Sequence, residues 1–153
     1  MLQLLLQTFL FRDLTESEVK KIAEFSELVA YAEGEEVIVE GNTEKHPDLF
    51  LLVAGEVNVG TKFSPLPTAE ALDLHPIDNQ MFGEVAWLRG SKRSAIVSCK
   101  SECKFICING GKLFEYCQNN PAVGVVLVTR IASVLAQRVA HLTDLVRDKA
   151  LYS

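Results

Sequence analysis

The sequence predicts a mainly β member of the α+β class. It reads as an antiparallel β-roll (a jelly roll or double-stranded β-helix) with helices before it and one long helix after it. Three observations carry this. From Glu33 onward apolar residues come in short runs, Val37-Ile38-Val39, residues 49–53 and Val57-Asn58-Val59, with the period of two that strands have. Gly34, Gly41-Asn42 and Gly55 punctuate those runs as turns, at the spacing of a roll. After Pro121 no proline follows before Lys149, and the one glycine, Gly124, stands near the start. That permits a single helix of about 28 residues, more than ~40 Å long at about 1.5 Å per residue.

At 153 residues one domain is expected, able to bury roughly two-thirds of its unfolded surface. A content of 48% hydrophobic and 23% charged residues is that of a globular chain. A net charge of −5 and an isoelectric point near 5.2 disfavour nucleic-acid binding by this chain alone, because such binders present basic surfaces. No apolar run reaches the ~18 residues of a membrane span. Met1-Leu2-Gln3-Leu4-Leu5-Leu6 lacks the positive flank and cleavage site of a signal peptide. The expectation is a cytoplasmic protein with no membrane attachment.

In chain order, residues 1–30 are expected to be helical. Residues 2–10 carry helical apolar spacing, as a lid or part of an interface, and residues 11–14 connect. Thr15-Glu16-Ser17-Glu18 is a capping box, an acceptor with an acid three residues on. It opens a helix toward Leu28 with Val19, Ile22, Ala23 and Phe25 on its apolar face. The roll is assigned to residues 31–109. Residues 62–68, with Ser64-Pro65-Leu66-Pro67, read as a surface excursion. Leu72-Asp73-Leu74-His75 resumes alternation, and strands over residues 94–100 and 103–108 close the roll.

Residues 110–153 return to helix: a short one around residues 113–117, then the long one over residues 121–149. Pro121 stands at the first helical position, where its missing N–H costs nothing. Val128, Ile131, Leu135, Leu142 and Leu145 fall on a coiled-coil-like seam, Val139 and Val146 lie beside it, and Arg138 interrupts it. A helix this long outruns a small domain. It is therefore expected to pack on a second chain as a homodimer, the alternative being a helix folded back on its own roll.

Cys99, Cys103 and Cys107 are spaced like metal ligands at first sight, but they fall in β-branched and aromatic sequence. On a strand Cys103, Phe105 and Cys107 share one face. No histidine lies nearby, so these three and Cys117 are read as buried free thiols and no metal site is expected. An enzyme is not expected either. His46, His75 and His141 are scattered, and no Gly-x-Ser-x-Gly elbow, P-loop or His-Glu-x-x-His is present. No catalytic residue and no cofactor is assigned.

The stretch with chemistry in it is residues 82–95, Phe-Gly-Glu-Val-Ala-Trp-Leu-Arg-Gly-Ser-Lys-Arg-Ser-Ala. Gly83 has no Cβ to keep a ligand from the backbone. The amides after it open a short helix, and such amides suit an anion. Arg93 adds a planar fork that matches a phosphate. Ionised Glu84 only accepts hydrogen bonds, so it suits a sugar hydroxyl. A phosphate fused to a ribose would satisfy both groups.

Phe-Gly-Glu-x-Ala-x-Leu followed by Arg-Ser-Ala-x-Val resembles the phosphate-binding cassette of the cyclic-nucleotide-binding domains. These are found in catabolite activator protein, protein kinase A regulatory subunits and nucleotide-gated channels. Gly41, the 49–53 run and Gly55-Glu56-Val57 are similar to the skeleton that precedes that cassette. The resemblance implies a regulatory sensor that performs no chemistry. Arg93, Ser94 and the amides of Glu84, Val85 and Ala86 would cage a cyclic phosphate. Glu84 would hold the ribose 2′-hydroxyl, and Gly83 and Ala95 complete the ligand-binding set. Base contacts would come from the last helix near His141 and Thr143, a helix that in the family also forms a parallel dimer seam. Ser94 favours cAMP over cGMP. The sequence departs from the pattern at Thr43–Asp48, at Asn79-Gln80, at Lys92 and at Trp87. Lys92 reads as a second cation or a solvated side chain, and Trp87 either fills core or intrudes on the pocket. The chain stops at Ser153, where the bacterial activators continue into a helix-turn-helix, so DNA regulation of that kind is not expected. A dimerisation module that binds no nucleotide is the alternative function.

Overall fold

The computed structural model of the chain describes residues 1–38, 45–60, 81–90 and 96–152. The helices α1 (Leu2–Leu6) and α2 (Glu16–Ala23) precede the strands, with a 3-10 turn (Phe9–Phe11) between them. Strands β1 (Ser26–Tyr31), β2 (Glu36–Ile38), β3 (Leu49–Ala54), β4 (Val57–Gly60) and β5 (Met81–Phe82) follow. Helix α3 (Glu84–Arg89) leads to β6 (Ile96–Cys99) and β7 (Cys103–Ile108). The chain ends in α4 (Gly110–Asn119) and α5 (Pro121–Tyr152).

All strand pairs are antiparallel, in two sheets of order β1-β7-β3-β5 and β2-β6-β4. The expected α+β architecture, antiparallel sheets with helices before them and one long helix after, is what is observed. Strands β3 and β7 bury both faces, and the period of two sorts their side chains. Phe50, Cys103 and Phe105 point into the roll with Phe82, Val97 and Cys99. Leu49, Leu51, Ile106 and Ile108 point the other way, onto the helices. One strand thus serves two cores, which is why 103–108 shows almost no polar residue beyond Lys104.

The N-terminal helices differ from the sequence expectation. Thr8 Oγ1 donates to the carbonyl of Leu4 at 2.9 Å, and the chain tightens into the 3-10 turn instead of continuing to Leu10. The capping box forms: Glu18 N donates to Thr15 Oγ1 at 3.2 Å, and Thr15 N to Glu18 Oε1 at 2.8 Å. The helix it opens stops at Ala23, well short of Leu28. Ser26 Oγ donates to the Ile22 carbonyl at 2.7 Å, and from Ser26 the chain pairs with β7 residue for residue, Ser26 opposite Ile108 through Tyr31 opposite Cys103. A six-residue ladder outweighs helical propensity there.

Helix α5 carries two apolar stripes. Leu127 and Ile131 are fully buried and Val134 nearly so, and with Val123 they complete the helical core. Gly124 lets α5 approach α4: a Cβ there would meet the Cys117 Cβ at 3.2 Å. Ile131, placed on the free seam by sequence, therefore belongs to its own domain. The free stripe is Val125, Val128, Ala132, Leu135, Val139, Leu142 and Val146, alternating steps of three and four, all exposed but Leu135, which is half-buried against the domain's own core. Val125, Val139 and Val146 are 66%, 62% and 69% exposed, against 0% for Leu127 and Ile131. By length and composition alone Pro121–Lys149 would suffice to cross a bilayer, although polar residues such as Arg130 and Arg138 interrupt its apolar run. In the structure its inner stripe lies on the roll.

Candidate functional site

The site is built where β5 runs into α3. Gly83 has φ 90° and serves as N-cap of α3, a conformation that favours glycine over any residue with a Cβ. The helix closes after six residues on Gly90, φ 60°, whose N–H donates to the Ala86 carbonyl at 2.9 Å. So short a helix satisfies few of its own amides; those of Glu84, Val85 and Ala86 have no partner within it.

Glu84 is a buried acid, 4% exposed. Its carboxylate pairs with the guanidinium of Arg138, whose Nη1 donates to Glu84 Oε1. Arg138 Nη2 also donates to the Met81 carbonyl at 3.1 Å. Arg138 follows Val134 on the inner stripe of α5, so the cation that interrupts the seam is the one that ties α5 to the cassette. The sequence signal was there, one cation inside an apolar stripe, but nothing local identified its partner.

Trp87 fills core. Its side chain is 3% exposed, its Nε1 donates to the Gly110 carbonyl at 2.9 Å, and Phe114 meets it edge-on at 6.3 Å. Phe114 in turn stacks on His46 at 3.9 Å. The first residue of α4 must be small: a Cβ on Gly110 would run into the carbonyls of His46 and Pro47. Asp48 Oδ1 accepts from Gly110 N at 2.9 Å, capping α4 together with Asn109. Cassette, 45–48 segment and α4 thus share one small contact.

Of the residues expected to bind, Gly83, Glu84, Val85 and Ala86 come together here. Arg93, Ser94 and Ala95 lie outside the described residues, as do Lys92, the 72–75 strand and Asn79-Gln80. On α5, His141 stands one turn beyond Arg138, with Nε2 buried and without a hydrogen-bond partner among the described residues. Thr143 points elsewhere: it is exposed, and its Oγ1 donates back to the Val139 carbonyl at 2.9 Å. Cys99 and Cys103 are buried free thiols, Cys107 and Cys117 half-buried ones. Burial pushes the Cys117 thiol up to about 11, and burial together with the neighbouring Cys103 does the same for Cys99. Among the described residues no group of three His, Cys, Asp or Glu is placed to hold a metal ion.

No protein-family model matches the chain, and no curated protein matches it. Solved structures do. A protein described as cyclic nucleotide-binding from Geobacter metallireducens superposes with TM-score 0.68 at 25% identity, over 85% of this chain and 91% of that one. A cyclic nucleotide-binding domain from Methylobacillus flagellatus gives TM-score 0.76 at 19% identity, over 97% of this chain and 83% of that one. The catabolite activator protein of Thermus thermophilus gives 0.66 at 19%, covering 95% of this chain and 64% of that longer one. The chain has the fold of the cyclic nucleotide-binding domains, as its cassette residues implied.

Proposed function

We propose that the chain is a cyclic-mononucleotide sensor domain that carries out no reaction and favours cAMP over cGMP. The observation that supports this most is the buried Glu84 carboxylate at the mouth of a glycine-capped short helix, held by a cation of the long helix. In this reading Gly83 admits the cyclic phosphate to the amides of Glu84, Val85 and Ala86. Arg93 supplies its counter-charge, and Ser94 and Ala95 close the cage. The ribose 2′-hydroxyl donates to Glu84, sharing the carboxylate with Arg138. Ligand at the cassette thereby acts directly on α5, the element that would carry the signal to a partner.

The same reading makes the chain a parallel homodimer through the free stripe of α5. Its steps of three and four assign Val125, Ala132, Val139 and Val146 to position a, and Val128, Leu135 and Leu142 to position d. Arg138 is then at g and Thr143 at e of the following heptad, positions that face one another across a parallel seam. Thr143, turned away from its own cassette, falls beside the partner's Arg138. In that arrangement each site is finished by the other chain.

A second reading, a dimerisation module that takes no nucleotide, draws on one observation: Glu84 is already compensated within the chain itself, by Arg138. A thermal-shift titration with cAMP, cGMP and a cyclic dinucleotide, beside Arg93→Ala, separates the two. A ligand at 100 times its dissociation constant stabilises by about 2.7 kcal/mol, which raises the melting temperature by a few degrees. The sensor reading expects that rise with a cyclic mononucleotide and its loss in Arg93→Ala. No rise with any of the three leaves the dimerisation module.

A further inference from the structure

We propose that Cys99 and Cys103 are a redox-active dithiol that closes to a disulfide inside the roll and clasps its two sheets together, independently of any nucleotide. Their placement carries it. Cys99 ends β6 and Cys103 begins β7, strands of different sheets, with Lys100, Ser101 and Glu102 between them. Both side chains are buried in the roll, 3% and 2% exposed, and they are hydrogen-bonded to one another. The turn wraps the Glu56 carbonyl, which accepts from Lys100 N at 2.8 Å and from Cys103 Sγ at 3.2 Å. Gly55 leaves space for that sulfur, because a Cβ there would come within 2.7 Å of it.

Two thiols within hydrogen-bonding reach need only a small side-chain rotation to attain an S–S bond of about 2 Å. The rival pair of equal spacing is excluded by geometry. Cys103 and Cys107 lie four residues apart on one extended strand, about 13 Å, whereas a disulfide spans Cα atoms roughly 4–7 Å apart. Oxidised glutathione, or another small disulfide, accepts the two electrons. One cysteine thiolate attacks a glutathione sulfur and expels a glutathione thiolate, and the second cysteine displaces the other glutathione from the mixed disulfide. The two thiol protons end on the two glutathiones released. Burial sets the pace: the thiolate is the nucleophile, and Cys99 is pushed up to about 11, so the pair reacts when this end of the roll opens. When the roll recloses, the bond is shielded from reductants.

The test incubates the full chain with mixed reduced and oxidised glutathione, in urea at the foot of the unfolding transition, so that the roll opens and recloses. Trypsin then cuts after Lys100 and Lys104, and the non-reduced peptides are weighed. A Cys99–Cys103 bond joins residues 94–100 to residues 101–104, and a Cys103–Cys107 bond joins residues 101–104 to residues 105–112. The first product is expected to exceed the second by more than tenfold. In concentrated urea, where both cysteine pairs close rings of equal size, the two yields should come within a few-fold. The oxidised chain should melt a few degrees higher than the reduced one. Cys107→Ser should keep both the linked peptide and the rise, and Cys103→Ser should lose both. Equal yields in the folded chain, four thiols that all stay reduced, or a linked chain that melts no higher overturns the clasp.

Discussion

Removing the Glu84 carboxylate while Arg138 stays leaves a guanidinium that is only 19% exposed without this counter-charge. Halving a buried pair in that way is costly, and Glu84→Ala is expected to lower the unfolding free energy by about 3 kcal/mol in a urea titration. Arg138→Met should cost a similar amount. The double variant should cost less than the sum by on the order of 1 kcal/mol, the coupling of two groups in contact. Gly110→Ala tests the contact behind the cassette: its methyl has no room against the Pro47 carbonyl, and a loss of about 1–3 kcal/mol follows from overpacking. At this scale the sequence was partly readable. Gly83 and Glu84 are recognisable because their roles are local, a positive φ and an acid at a helix start. Arg138 looked like a defect in an apolar seam because its partner is 54 residues away. Trp87 was undecidable until the carbonyl of Gly110 was seen to take its N–H.

The stripes of α5 give opposite expectations for similar substitutions. Ile131→Ala empties a fully buried site and should cost about 2–5 kcal/mol of stability in denaturant titrations. Val139→Glu and Leu142→Glu touch exposed side chains and should leave that value within about 0.5 kcal/mol per site at low protein concentration. In sedimentation equilibrium they should shift a dimeric wild type to monomer; a variant that stays dimeric would refute the seam. The length of α5 was legible from an absence of proline. Which stripe faces inward was not, because both obey steps of three and four and differ only by one residue in phase. β1 was missed for a related reason. Its sequence follows a well-capped helix, and the strand that makes it a strand lies at the far end of the roll.

Over the whole molecule the buried thiols set a pH limit. Cys99 and Cys117 rise from an ordinary 9.0 to about 11 in the fold, and burial also raises Tyr31 and Tyr116 above 10.0. The unfolded chain gives up these protons first. Their contribution to stability is therefore intact below pH 9.0 and is lost as pH rises toward about 11. Midpoints of urea unfolding should be flat across neutral pH in this respect and fall across that window, and the fall should shrink in Cys117→Ala.

The one-residue offset between the stripes of α5 also bears on how the chain can change by descent. Each residue turns an α-helix by about 100°. Deleting a single residue such as Ala136 would bring Val139 to the place of Arg138 and Leu142 to that of His141. Glu84 would then face a hydrocarbon, and the outer stripe would carry Ala140, Thr143 and Arg147 where it had Val139, Leu142 and Val146. Substitutions along α5 can be absorbed one at a time, but a codon gained or lost between Val134 and Arg138 displaces both faces together. Lineages that keep this ion pair must keep that count.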